Sequence, residues 1–144
     1  MRRKRECDPV PDEIRIPEPV IPSAVLVIKV GGEIFYAHIC GNQTAREFAG
    51  KISSGGITLE MRDAAGHEKL GSLPFGLTRS EEEGRIRFGD IILTSDNGLA
   101  VYCGEDTEGP RCVIASVGDY RRDRFIAALG NDSVTVNISL EWGE

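Results

Sequence analysis

The chain has 144 residues, a length that fits one domain comfortably and two separately cored domains poorly. Its 17 lysines and arginines and 23 aspartates and glutamates give a net charge of −6, and 40% of the residues are apolar, which is typical of a folded globular protein rather than of a disordered chain. The longest apolar run, residues 24–28, stops at Lys29 and falls far short of the roughly 20 residues that a membrane helix needs.

The charge is distributed unevenly along the chain. Residues 1–19 contain five basic and five acidic side chains, so the remainder carries the whole excess of −6. An acidic body repels nucleic acid, whose phosphates are bound by clustered lysines and arginines, and we expect neither nucleic-acid nor membrane binding. The segment Glu6-Cys7-Asp8 stands where a secretory signal has its apolar stretch, so a cytoplasmic location is expected.

Residues 1–22 are interpreted as a proline-rich N-terminal tail. They contain five of the seven prolines, which removes regular hydrogen bonding and favours an extended geometry. The basic residues 2–5 are interpreted as a solvated terminus, with polyanion binding as the alternative. From residue 23 onward the pattern changes to short apolar runs separated by glycine, so residues 23–144 are assigned to one folded domain.

Short strands dominate that domain. Residues 24–30 and 33–39 flank Gly31-Gly32, which predicts a hairpin because a two-residue turn needs positive φ values that glycine adopts freely. Apolar and polar residues alternate over 57–62 and 134–141, which is typical of an antiparallel sheet with one face in water. Further strands, for a total of about eight, are predicted at residues 68–73, 90–94, 99–103 and 112–117.

Two segments follow a helical period instead. Apolar residues at the spacing i, i+3, i+4 and i+7 predict a helix over residues 43–53, with Asn42 as its N-cap. A second helix is predicted over 121–129, with Asp119 as a cap and Gly130 at its end. This order of elements predicts a mainly β fold, a closed antiparallel barrel with one short helix at each end, because closure removes unpaired strand edges.

The usual motifs of metal and cofactor sites are missing from the sequence. The four cysteines lack the two-residue spacing of zinc motifs, and there are only two histidines, so neither a metal nor a cofactor is expected. We expect reduced thiols, with a cross-strand disulfide between Cys103 and Cys112 as the alternative. The acidic clusters at 81–83 and 105–108 are interpreted as solvated loops. The serine-elbow, P-loop and dinucleotide motifs do not occur.

Several segments of the chain carry a resemblance to one known family. The helix segment Asn42-Gln43-Thr44-Ala45-Arg46-Glu47-Phe48 is similar to the first cyclophilin helix, in which a Thr-Ala pair is followed by a phenylalanine four residues after the threonine. Ile92-Leu93-Thr94-Ser95-Asp96-Asn97 is similar to the fifth cyclophilin strand, 113–118 to the seventh and 121–129 to the closing helix. The combination of the Tyr/His strand, the Asn-x-Thr-Ala helix, Gly71-Ser72-Leu73-Pro74-Phe75, Phe88-Gly89-Asp90-Ile91 and the late Val-Thr-Val strand resembles more closely the small, functionally uncharacterised cyclophilin-like proteins of bacteria and archaea, over residues 24–142.

The resemblance implies a cyclophilin-like barrel more strongly than prolyl isomerase activity. In cyclophilins, the arginine that stabilises the twisted amide follows Phe-His on the third strand. This chain has Thr58-Leu59-Glu60-Met61-Arg62-Asp63 instead. Arg62 is in position to reach a groove, but it lies on the polar face of its strand, and a solvated strand charge is the alternative interpretation. The Gln-x-Gly-Asp segment, the groove tryptophan and the groove histidine have no counterparts. We therefore expect a protein that is not an isomerase.

The expected function is binding of a peptide or small molecule in a shallow groove. The predicted ligand-binding residues are Arg62, Phe75, Thr94 and Tyr102, with no catalytic residue assigned. Phe75 is included because a rigid loop with an aromatic side chain at a barrel mouth is able to line a groove. Two alternatives stay open, a divergent peptidyl-prolyl isomerase that uses Arg62 and a structural or interaction protein, and the sequence leaves the oligomeric state open.

Overall fold

The computed structural model of the chain describes residues 24–64, 67–118 and 121–142. The predicted tail, residues 1–22, and the predicted helix cap Asp119 lie outside the described residues. Ten strands and two helices follow one another along the described chain: β1 (Ala24–Val30), β2 (Glu33–Ile39), α1 (Gln43–Ile52), β3 (Ile57–Ala64), β4 (Glu68–Ser72), β5 (Glu82–Ile86), β6 (Asp90–Leu93), β7 (Gly98–Tyr102), β8 (Thr107–Arg111), β9 (Val113–Ser116), α2 (Arg122–Leu129) and β10 (Val134–Trp142).

Eight of these strands close into one antiparallel barrel in the order β1-β10-β3-β4-β7-β6-β9-β2. Each strand pairs antiparallel with its neighbours, and β2 closes the ring by pairing with both β9 and β1. The predicted mainly β fold, a closed barrel of about eight strands with two short helices, is confirmed.

The alternation of side chains along β3 shows how the sequence builds the barrel wall. Leu59 and Met61 are buried in the core, whereas Thr58, Glu60 and Arg62 face outward, because successive side chains of a strand point to opposite faces. The predicted turn at Gly31-Gly32 joins β1 to β2, and both glycines have positive φ values of 59° and 77°. A two-residue turn of this kind matches the twist of the strands that it joins.

The two helices lie at opposite ends of the barrel. Helix α1 follows the end of β2, and its N-cap Asn42 accepts a hydrogen bond from the Ala45 amide at 2.8 Å, as predicted. Helix α2 packs at the other end of the β1–β2 hairpin, where a side chain added at Gly31 would come within 2.7 Å of the Ala128 carbonyl oxygen. Arg121 occupies the N-cap position of α2, without a capping side-chain hydrogen bond. Neither described helix is long and apolar enough to cross a membrane.

An aromatic cluster fastens α2 to the barrel. Phe125 is 1% exposed, and its ring meets Phe35 edge to face at a centroid distance of 4.8 Å and Phe88 at 5.9 Å. The guanidinium of Arg122 lies 4.3 Å from the centre of the Phe88 ring. The helix therefore closes the barrel through its apolar face while its basic residues cover the rim.

A separate two-stranded ribbon, β5 with β8, corrects the predicted loops. Glu82 and Glu83 lie in β5, and Glu108 lies in β8, so the acidic clusters are only partly loop. The ribbon escaped prediction because its strands, EEGRI and TEGPR, show no apolar alternation. Instead, the buried Arg111 pairs with Glu82 at 2.6 Å across the two strands, and this ion pair takes the place of an apolar face.

The cysteines differ from expectation in one respect. Cys103 and Cys112 are free thiols, so the cross-strand disulfide is absent. Cys112 is buried, and its thiol lies 3.4 Å from the Thr44 hydroxyl, whereas the Cys103 amide donates to the carbonyl of His67. The two residues thus belong to different surroundings. Cys40, in contrast, is disulfide-bonded, and the expectation of a reduced thiol is wrong for this residue.

Candidate functional site

The structure brings two of the four predicted site residues together. Arg62 and Thr94 line one groove with a volume of about 320 Å³, whereas Phe75 and Tyr102 do not line it. The groove lies on the outside of the barrel, over β3, β4, β7 and the turn between β6 and β7. Its lining residues are Glu60, Met61, Arg62, Leu70, Gly71, Ser72, Thr94, Asp96, Gly98 and Ser133.

Strand register and one glycine form the groove. Arg62 pairs with Leu70 on β4, and Ser72 pairs with Gly98 on β7, so these four residues lie on the outer face of the sheet. A Cβ at Gly98 would lie 3.0 Å from both the Gly71 carbonyl oxygen and the Thr94 hydroxyl, and 3.7 Å from Asp96 Oδ1. The missing side chain therefore lets β4 and the turn between β6 and β7 approach each other closely, as a glycine in a strand often does.

Arg62 is the cationic group of the groove. It projects outward from β3, is exposed, and makes no hydrogen bond or ion pair with the rest of the described chain. An arginine carries five N–H donors in a planar fork and stays charged at every physiological pH. Its guanidinium is therefore free to donate hydrogen bonds to a carboxylate or a carbonyl oxygen of a ligand.

The turn between β6 and β7 places Asp96 at one end of the groove. Thr94 Oγ1 donates to Asp96 Oδ1 at 2.6 Å and accepts from the Gly98 amide at 2.8 Å. The hydrogen bond from Thr94 lowers the pKa of Asp96, and the positive charge of Arg62 lowers it further. Asp96 is thus a carboxylate at neutral pH. The hydroxyl proton of Thr94 already forms a hydrogen bond within the turn, so it is not available to a ligand.

Glu60 supplies a second carboxylate on the Arg62 strand. It lies two residues before Arg62 on the same outward face, and its Oε2 accepts a hydrogen bond from Thr135 Oγ1 on β10 at 2.5 Å. The two-residue spacing between Glu60 and Arg62 on a predicted strand was the signal in the sequence that places Glu60 beside Arg62 on the outer face. Asp96 carried no such signal, because only the pairing of β4 with β7 brings its turn beside β3.

The other two predicted residues serve the packing of loops. Phe75 lies against Phe48 of α1 at a centroid distance of 6.2 Å, and the Lys51 ammonium lies 5.8 Å from the centre of its ring. Gly98 and Tyr102 are the first and last residues of β7, so Tyr102 lies about 13 Å along the strand from Gly98. Its hydroxyl donates to the Glu105 carbonyl at 2.7 Å, and burial raises the pKa of Tyr102.

A second polar cluster lies beside a smaller cavity of about 270 Å³. The Lys69 ammonium is buried and donates to Asp63 Oδ1 at 3.2 Å and to the Asp132 carbonyl at 2.6 Å. Cys103 lines the same cavity, and burial raises the pKa of its thiol. Within residues 24–64, 67–118 and 121–142, no group of three or more His, Cys, Asp or Glu side chains is arranged to hold a metal ion.

The fold and the groove define a closed antiparallel barrel with an arginine-bearing outer groove on its third strand. The profile of the cyclophilin-like family matches residues 28–141, well over half of the chain. The chain therefore belongs to the cyclophilin-like family, and the resemblance stated from its sequence motifs is confirmed. No curated protein and no solved structure matches the chain.

Proposed function

We propose that this cyclophilin-like domain binds a peptide or small ligand in the groove around Arg62. The observation that carries the proposal is the guanidinium of Arg62, exposed beside the groove and without a partner in the described chain. An arginine that only solubilises a strand has no need of a cavity beside it. The volume of about 320 Å³ lies at the lower end of the range of about 300–1,000 Å³ for ligand sites, so the ligand, or its bound part, is small.

The groove lining favours binding over prolyl isomerisation. Its apolar side chain is that of Leu70, since that of Met61 is buried in the core, and none of its lining residues is aromatic, whereas a proline ring requires an apolar wall to displace its water. The two carboxylates, Glu60 and Asp96, also lower the positive potential around Arg62. The guanidinium then stabilises the nitrogen lone pair of a twisting amide less strongly.

An NMR titration with the tetrapeptide Ala-Ala-Pro-Phe tests the binding proposal. We expect amide shifts at Arg62, Thr94, Asp96 and Gly98, and at least a tenfold loss of affinity in Arg62→Ala, since a hydrogen bond to a charged group contributes about 1.5–3 kcal/mol. The matched control is Arg85→Ala, which removes an exposed arginine on the β5–β8 ribbon and should leave the affinity unchanged. A shift map that avoids the groove, or an equal loss in both variants, would contradict the proposal.

A divergent isomerase is the second candidate, favoured by the same free guanidinium. It predicts that the protein accelerates cis–trans exchange of a prolyl peptide and that Arg62→Ala removes the acceleration. In a protease-coupled assay we expect the rate to equal that of uncatalysed exchange, which takes tens to hundreds of seconds. A faster rate that depends on Arg62 would establish the isomerase in place of the binding protein.

A further inference from the structure

The groove combines charges of both signs in a small space. Arg62 contributes one positive charge, and Glu60 and Asp96 contribute one negative charge each, so the lining carries a net charge of −1. A ligand with only negative charges would meet two carboxylates, and a ligand with only positive charges would meet the guanidinium. A ligand that carries both charges matches the groove, since like-charge contacts are costly and complementary ones set orientation.

Threonine hydroxyls orient both carboxylates. Thr94 donates to Oδ1 of Asp96, and Thr135 donates to Oε2 of Glu60. Within the described residues, the second oxygen of each carboxylate, Oδ2 and Oε1, makes no side-chain hydrogen bond or ion pair. A threonine hydroxyl thus holds one oxygen of each carboxylate, the backbone amide of Asp96 also bonds to its own carboxylate, and no described side chain occupies the second oxygen.

Of the two carboxylates, Asp96 is better placed for a ligand ammonium. Asp96 is exposed and lines the groove from the turn between β6 and β7, so it lies on a different pair of strands from Arg62. Glu60, in contrast, lies only two residues from Arg62 along β3, where a bound carboxylate of the ligand would be close to it. A ligand that spans from Arg62 to Asp96 keeps its own negative charge away from Asp96, and its ammonium meets a carboxylate that no ligand carboxylate crowds.

We propose that the groove binds a zwitterion of the dipeptide class, with its carboxylate on Arg62 and its α-ammonium on Asp96. This inference rests on the proposed function, because it names the ligand class of the same groove. The size agrees, because the groove volume of about 320 Å³ lies at the lower end of the range of about 300–1,000 Å³ for ligand sites, and a dipeptide is a small ligand. The hydroxyls of Ser72 and Ser133 line the groove and supply partners for the peptide amide.

Alanyl-alanine in four forms tests the charge assignment on the full chain. The forms are the free dipeptide, the N-acetylated dipeptide, the dipeptide amide and the doubly blocked dipeptide, each titrated by calorimetry and NMR. We expect the free dipeptide to bind, each single block to weaken binding about fivefold, and the double block to weaken it further. We also expect weaker binding of the free dipeptide at high salt, since exposed charges are screened.

Two conservative variants assign each end of the ligand. In Arg62→Gln the free dipeptide and its amide should bind equally, whereas N-acetylation should still weaken binding. In Asp96→Asn, which keeps the acceptor for Thr94, N-acetylation should no longer matter. Arg85→Gln is the matched control and should reproduce the unaltered protein. Comparing the four ligands on the unaltered protein keeps the assignment testable if a variant is poorly folded.

The outcomes separate the two proposals. If all four forms bind equally, or if the blocked forms bind more tightly, the groove binds a small ligand but the zwitterion assignment is overturned. If Ala-Ala-Pro-Phe binds in the groove and alanyl-alanine does not, the assignment is likewise overturned while the proposed function stands. If neither peptide perturbs the groove, both fail together.

Discussion

Gly89 offers a sharp test of how the barrel is held together, because its backbone has no freedom to move. Its φ is +89°, its amide donates to the Tyr102 carbonyl and its carbonyl accepts from the Val117 amide, both at 2.8 Å. An added Cβ would lie 2.5 Å from the carbonyl oxygen of Gly118 and 2.7 Å from its nitrogen. The variant Gly89→Ala therefore forces two backbone segments apart.

The expected loss has two parts. A positive φ costs a residue with a side chain about 1–2 kcal/mol, and the lower entropy of the unfolded alanine chain returns about 0.4–1 kcal/mol. Ordinary contact begins at 3.4 Å, so the new methyl group intrudes by about 0.9 Å, and overpacking of this kind costs about 1–3 kcal/mol. We expect the free energy of unfolding to fall by about 2–4 kcal/mol.

The control is Gly32→Ala, which separates the two parts. Gly32 has a φ of +77° but nothing within 4 Å of an added Cβ, so this variant keeps the strain of the positive φ and lacks the collision. We expect it to cost about 1 kcal/mol. Urea unfolding followed by circular dichroism measures both losses, read as a change in midpoint at constant slope. Equal losses in the two variants would refute the reasoning, because the contact with Gly118 would then contribute nothing.

Two further predictions concern the core and a thiol. Phe125→Ala should lower the free energy of unfolding by about 3–5 kcal/mol, because it removes the ring that packs against Phe35 and Phe88. The control is Ile126→Ala, on the same helix but 44% exposed, which should cost under about 1 kcal/mol. Similar losses for the two variants in urea unfolding would argue against the aromatic cluster. Burial raises the pKa of Cys103, so less thiolate is present at a given pH and alkylation should reach half its maximal rate at a higher pH than for a free cysteine. Mass spectrometry of the native protein across pH measures this, and a midpoint at or below that of free cysteine would contradict it.

Local patterns in the sequence were enough to predict most of the barrel. The alternation over β3 and β10 assigned an inner and an outer face, and Asn42 marked the start of α1 where the structure has it. These features depend on residues that are close in sequence, and their period reports burial directly. The β5–β8 ribbon has no such period, since an ion pair between Glu82 and Arg111 replaces its apolar face, and it was missed for that reason.

In the groove, too, only the features that depend on residues close in sequence could be predicted. That Arg62 and Glu60 share the outer face of one strand follows from their two-residue spacing. Phe75 and Tyr102 were grouped with Arg62 as site residues, but the one packs on α1 and the other stands at the far end of β7. Sequence patterns carry no measure of distance between elements, so they could not separate these residues.

By itself, then, the amino-acid sequence determined that alternating strands and two helices form a closed barrel, because each strand must turn its apolar side chains inward. Only the tertiary structure decided what lies beside Arg62. The register of β3 on β4 and of β4 on β7 brings Gly98 and Asp96 to this arginine, and register is set by cooperative pairing and packing over the whole sheet rather than by any one segment.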